Sequence, residues 1–190
     1  MLNNLRSKSV YLASKSPRRK ELLASLGVSF DIKLKETNED FPSSMDIYKV
    51  AEYLATKKAN AFEPKQNDII ITADTVVICE GQILNKPKDK DEAYRMLSLL
   101  SDNKHEVTTG VCIFTKDDKI TFSETTEVLF KSITTEEIDY YINNYQPFDK
   151  AGGYGIQEWI GKVGIKEIKG DYYNVVGFPL ARLYSILVNL

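Results

Sequence analysis

The sequence has little sulfur and almost no imidazole: two cysteines, three methionines and one histidine in 190 residues. Cys79 and Cys112 are not spaced as a zinc site, and His105 alone cannot build a histidine-based one. The same scarcity leaves no Cys–His or Ser–His pair as a candidate nucleophile and base. An excess of one charge is also missing. Twenty-five Lys and Arg stand against 27 Asp and Glu, a net charge of −2, which argues against a general nucleic-acid binder. No apolar run approaches the roughly eighteen residues of a membrane span. The start, MLNNLRSKSV, lacks the apolar core of a signal peptide. Both cysteines fall in apolar runs and read as buried, reduced thiols, so the expected location is the cytoplasm. There is no internal repeat and no low-complexity segment. The glycine-rich stretch around Gly152 lacks the GK[ST] ending of a phosphate-binding loop and is not GxGxxG before a helix.

What is present is an ordinary globular composition, 43% hydrophobic and 27% charged. The length suits one substantial domain, or two small lobes sharing a core. Strand-like and helix-like segments alternate throughout. Strands are expected at 9–13, 30–34, 68–79, 83–84, 106–114, 120–130 and 163–168. Helices are expected at 17–26, 46–62, 91–100 and 134–144, with a last one starting at Pro179. The class is α/β with a mixed sheet.

The stretch Ser14-Lys15-Ser16-Pro17-Arg18-Arg19-Lys20 is the most informative one. Ser16 is a good N-cap, Pro17 suits the first helical position, and Gly27 falls where a helix should stop. Arg18, Arg19 and Lys20 nevertheless crowd a first turn where the helix dipole already favours acidic residues. Either the helix start is simply a solvated basic one, or an anion sits there. Free helix N–H groups, two hydroxyls and an arginine pair make a cradle for phosphate. Asp74 is the second signal: a carboxylate inside the run Ile70 to Ile78 is costly to bury unless paired or bound to a metal. Glu36, Glu39 and Asp40 offer further oxygen ligands for Mg²⁺ or Mn²⁺, or else form a solvated acidic loop. Lys57-Lys58 and Lys86-Pro87-Lys88 are weak signals by themselves. Gln157, beside the glycine-rich loop, carries an amide able to pair with a base edge. Cations for phosphate, carboxylates for a metal and no covalent nucleophile favour metal-assisted attack of water on a phosphate ester or anhydride.

The segments SKSPRRKELL, ADTVV, NKPKDKDEAYRML, HEVTTGV, DKAGGYGIQ and GDYYNVVGFPL occur in the order seen in Maf-like proteins, the nucleoside triphosphate pyrophosphatases. The resemblance runs from about Val10 to Leu187. It implies a fold like that of the inosine-triphosphate pyrophosphatases, a long bent mixed sheet flanked by helices, with one domain over 1–190 whose two lobes share the sheet around a central cleft. It implies hydrolysis between the α- and β-phosphates of a nucleoside triphosphate with a divalent cation. The KAGGYGIQ segment resembles the branch acting on dTTP and UTP, with CTP and modified pyrimidine nucleotides as further candidates. By the resemblance Asp74 is the catalytic base and Glu39 a further active-site position; a divalent cation is expected on the Glu39 and Asp74 carboxylates. Arg18, Thr75 and Gln157 match positions of substrate choice, and Ser14, Arg19, Lys58 and Lys86 match further substrate-binding positions. Glu158-Trp159-Ile160 departs from the Gly-Leu-Gly often found there, placing bulk and charge directly after Gln157. The implied partners are a nucleoside triphosphate and a second copy of the chain, with no stable nucleic acid and no membrane. A competing reading is a non-catalytic nucleotide- or nucleic-acid-binding regulator of septum formation.

Overall fold

The computed structural model describes residues 2–190. The chain runs β1 (Ser9–Leu12), α1 (Pro17–Ser25), β2 (Asp31–Ile32), α2 (Val50–Ala59), β3 (Asp68–Cys79), β4 (Gln82–Leu84) and α3 (Lys90–Leu100). It continues through β5 (Lys104–Phe114), β6 (Lys119–Phe130), α4 (Thr135–Tyr145), α5 (Trp159–Gly164), β7 (Ile165–Lys169), α6 (Tyr172–Val176) and α7 (Leu180–Leu187). The strands form one seven-stranded mixed sheet in the order β2-β1-β3-β5-β6-β7, with β4 paired to β3. β1 is parallel to both β2 and β3, whereas β4 on β3 and β7 on β6 are antiparallel. No helix among the described residues is long and apolar enough to cross a membrane.

The chain divides into two compact units. The first comprises residues up to Asp74, Thr109–Glu124 and Gly177–Leu190. Its core gathers Leu12, Leu23, Ile69, Ile71, Val111, Ile113, Phe178 and Leu183. The alternate residues Val10 and Leu12 of β1 share this core with the apolar stripe of α7, which satisfies the two-residue period of a strand and the 3.6-residue period of a helix together. The second unit comprises Thr75–Thr108 and Thr125–Val176. Its core is built from Leu97, Leu100, Val128, Phe130, Tyr141 and Ile160. Cys79 and Cys112 are free and buried.

β3 has the bounds expected from its β-branched run, and every residue in it is buried except Asp74 and Thr75. A strand covered on both faces loses the alternation of a half-exposed one, so two adjacent open positions stand out. The capping box at Thr134 and Glu137 opens α4 as expected.

Four segments differ from the sequence reading. The helix expected at 46–62 is a single 3₁₀ turn, Ile47–Lys49, followed by α2, which ends at Ala59; the Asp46 carboxylate caps the 3₁₀ turn by accepting the Tyr48 N–H at 3.0 Å. β2 is two residues long rather than five. The strand expected at 163–168 begins only at Ile165, because residues 159–164 are helical. Gly161 permits this, since a Cβ there would lie 1.8 Å from the Ile156 carbonyl oxygen. α6 was unmarked in the sequence; Asp171, read as part of a turn, accepts the Tyr173 N–H at 2.7 Å and starts it.

Candidate functional site

In the first unit, β1 ends at Leu12 opposite Ile71, and the pairing closes with the Ala13 N–H donating to the Ile71 carbonyl at 2.8 Å. β3 runs on to Asp74 while the neighbouring chain turns away into residues 13–16. Ligands of parallel sheets bind where strands end in this way. The Ser14 hydroxyl accepts the Ser16 N–H at 3.2 Å, and the Ser16 hydroxyl accepts the Arg19 N–H at 3.4 Å. Both serines therefore hold the turn and the first helical residues, so the two hydroxyls already have donors of their own. Arg18 lies half-buried on that first turn.

Arg19 is the larger surprise. Its Nε donates to the Gly177 carbonyl at 2.9 Å, and one terminal nitrogen donates to the Ala73 carbonyl at 2.8 Å. The guanidinium thus ties the start of α1 to the residue before Asp74 and to the approach of α7. Burial lowers its pKa from the usual arginine value; the nearby Asp74 carboxylate acts in the opposite direction, and Arg18 adds to the lowering.

Lys58 reaches Asp74 through the packing of α2 on β3. The Thr72 hydroxyl donates to the Ala55 carbonyl at 2.7 Å, fixing the helix against the strand. Asp74 follows Thr72 by one strand period and Lys58 follows Ala55 by nearly one helical turn, so both side chains lie on the facing surfaces. The Lys58 ammonium bonds the Asp74 carboxylate and also lies 2.8 Å from Glu39 Oε1. Neighbouring Lys57 donates to the Asp40 carbonyl at 2.7 Å, so two successive lysines hold the acidic loop to α2. The Lys58–Asp74 contact is the sheltered one, with side chains 20% and 13% exposed against 52% for Glu39. Exposed pairs contribute little, so of the two Lys58 pairs the one with Asp74 is the stronger. Of the acidic loop, only the Glu39 side chain enters this cluster; Asp40 contributes its carbonyl, and Glu36 is exposed.

Two carboxylates converging on one cationic point is a fit for a hard divalent ion, which needs one or two protein carboxylates and completes its shell from phosphate and water. Among the described residues no three His, Cys, Asp or Glu side chains converge.

In the second unit, Thr75 is half-buried, and Lys86 and Gln157 are exposed. The Asn85 carbonyl accepts the Gly152 N–H at 3.2 Å, and Pro87 packs beside Gly153, so the segment bearing Lys86 is held to the glycine-rich loop. Gly152 and Gly153 both have positive φ, at 69° and 70°, which is why that loop is glycine-rich. Sequence reasoning missed Lys150 and Tyr141. Both are buried around Glu158, directly after Gln157. The only available signal was the Glu158 charge, in a place where a small residue is more usual.

Among relatives, a protein of Parabacteroides distasonis named dTTP/UTP pyrophosphatase is 46% identical over 190 residues, covering 98% of each chain. A Porphyromonas gingivalis protein of the same name is 48% identical over 192 residues, covering 98% of this chain and 96% of its own. One from Flavobacterium psychrophilum, also so named, is 46% identical over 182 residues, covering 95% and 93%. Among solved structures, a HAM1 protein from Coxiella burnetii aligns over 96% of this chain and 100% of its own, at 14% identity and a TM-score of 0.48. The profile of the Maf-like protein family matches residues 9–190, nearly the whole chain, and the chain belongs to that family.

Proposed function

We infer that this chain is a nucleoside triphosphate pyrophosphatase that hydrolyses dTTP and UTP to the monophosphate and pyrophosphate. The near-full-length similarity to dTTP/UTP pyrophosphatases supports the activity. The observation that carries the chemistry is the Glu39–Lys58–Asp74 cluster, beside a helix start that carries Arg18 and Arg19. Asp74 is the general base. It lies on the central strand β3, where the Lys58 ammonium pairs with its carboxylate, and a carboxylate so placed can accept a proton from water. The proton of the attacking water passes to Asp74, the water oxygen bonds the α-phosphorus, and the bond to the oxygen bridging toward the β-phosphate breaks as pyrophosphate departs. Glu39 and Asp74 are the residues that would hold Mg²⁺ or Mn²⁺, and the ion would supply positive charge to offset that of the triphosphate.

Arg18 and Lys58 bind phosphate oxygens, and Ser14 and Arg19 shape the turn that presents them. The family resemblance assigns Thr75 and Gln157 to substrate choice and Lys86 to substrate binding; by its chemistry Lys86 suits a phosphate, and the Gln157 amide carries the donor and acceptor that a base edge needs. The free, buried thiols agree with a cytoplasmic enzyme. The resemblance also supports a homodimer working as one catalytic domain per chain.

The test is a panel of dTTP, UTP, CTP, GTP, ITP and XTP with Mg²⁺ or Mn²⁺, assayed for pyrophosphate. Release is expected from dTTP and UTP first. Preference for ITP or XTP would make this a purine-directed enzyme, and binding without release would make it a nucleotide-binding regulator.

A further inference from the structure

Residues 155–158 form a tight turn, closed by the Glu158 N–H donating to the Gly155 carbonyl at 3.0 Å. Gln157 sits exposed within it. The Glu158 side chain folds back over the turn. One carboxylate oxygen lies 3.1 Å from the Lys150 ammonium, and the other accepts the Tyr141 hydroxyl proton. The same hydroxyl oxygen accepts the Gly155 N–H at 2.9 Å, so a single phenol joins the first and last residues of the turn. Lys150 also bonds Asp149 at 2.6 Å. Tyr141 is fully buried and Lys150 is 8% exposed.

The space is filled on both sides. A Cβ at position 155 would lie 2.9 Å from the Glu158 carboxyl carbon and 3.1 Å from Lys150 Cε. On the other side α5 presses its Gly161 against the Ile156 carbonyl. Setting a buried ammonium and a buried phenol around a half-buried carboxylate is not an economical way to stabilise a connection, since apolar packing of the same volume does as well or better. Such a network fixes one conformation, and the residue fixed by it is Gln157.

We propose that Glu158, Lys150 and Tyr141 are positioning residues that lock the 155–158 turn and so aim the Gln157 amide, making them determinants of base selection. The inference rests on the reading of this chain as a pyrimidine nucleoside triphosphate pyrophosphatase with Gln157 at the base. Amides pair with a base edge through one donor and one acceptor at fixed spacing, so an amide free to rotate still binds but discriminates poorly.

The experiment measures kcat and KM for dTTP, UTP and CTP with the full chain and its Glu158→Ala, Glu158→Gln and Tyr141→Phe variants. Glu158→Ala is expected to raise KM for dTTP about tenfold, with most of the change outside kcat, and to shrink the dTTP-to-CTP ratio of kcat/KM by about fivefold or more. Glu158→Gln keeps an acceptor for the Tyr141 hydroxyl and should recover part of that ratio. Tyr141→Phe, which deletes one oxygen, should move the ratio in the same direction; it decides the question if Glu158→Ala melts below the assay temperature. An unchanged ratio in Tyr141→Phe and Glu158→Ala, or an equal fall in kcat for every nucleotide, overturns the positioning role while leaving the pyrophosphatase intact. Absence of pyrophosphate release by the wild-type chain overturns the functional reading itself, and this inference with it.

Discussion

Arg18 and Arg19 are adjacent and chemically identical, yet alanine substitution should separate them. Arg19→Ala removes two hydrogen bonds from a half-buried side chain, to the Gly177 and Ala73 carbonyls. Hydrogen bonds from a charged group each contribute about 1.5–3 kcal/mol, and the two share one side chain, so the expected loss is about 2–4 kcal/mol. For a chain of this size each kcal/mol moves the melting temperature by about 2–4 °C, which predicts a fall of about 5–15 °C. Arg19→Lys keeps the charge but has no planar fork to reach both carbonyls, and should recover less than half of the loss. Arg18→Ala should shift melting by no more than about 2 °C while raising KM for dTTP. Differential scanning calorimetry with steady-state kinetics on the same preparations checks both. Equal melting of Arg19→Ala and the wild type would refute the structural role of Arg19. Equal destabilisation by both variants would refute the division of labour.

Two further predictions concern the cores. Burial pushes the His105 pKa down to about 4, and its Nδ1 faces no hydrogen-bond partner among the described residues, so the imidazolium is disfavoured in the fold. The folded state therefore binds this proton less readily than the unfolded chain. Stability is intact above pH 6.5 and is lost as pH falls from 6.5 toward 4, by about 2 kcal/mol at pH 5. His105→Phe should flatten this part of a melting-temperature profile, and an unchanged slope would show that other groups cause it. Gly110→Ala would place a Cβ 2.3 Å from the main chain of Ala51 and Glu52, and Gly161→Ala would place one 1.8 Å from the Ile156 oxygen. Each should cost at least about 3 kcal/mol. Gly27→Ala, with open space but a φ of 73°, should cost only about 1 kcal/mol, a ranking that urea denaturation tests directly.

The parts of this molecule legible in its sequence are those decided by near neighbours. β3 announced itself through an unbroken β-branched run, α4 through its capping box, and α1 through Ser16, Pro17 and Gly27. Asp74 stood out because its own strand made it costly. What the sequence did not disclose depends on distant partners. Nothing local says that Arg19 would turn to two main-chain carbonyls, since the Gly177 it reaches lies 158 positions along the chain. α5 was hidden because its glycines signal a loop, whereas Gly161 serves a close main-chain approach. Glu158 was visible only as an unusual charge. Its meaning required Tyr141 and Lys150, brought to it from α4 and from the loop that follows.

Asp74 as the base for hydrolysis between the α- and β-phosphates is the step on which the proposed chemistry depends. It is tested most directly by incubating dTTP and a divalent cation with the wild-type chain and with Asp74→Asn, then quantifying dTMP, pyrophosphate and orthophosphate. Asparagine keeps the size of the side chain and an acceptor for Lys58, so the variant should fold. The wild type should give equal amounts of dTMP and pyrophosphate with no orthophosphate, and the folded variant should show no turnover. Orthophosphate as the first product, or undiminished turnover by Asp74→Asn, would contradict it.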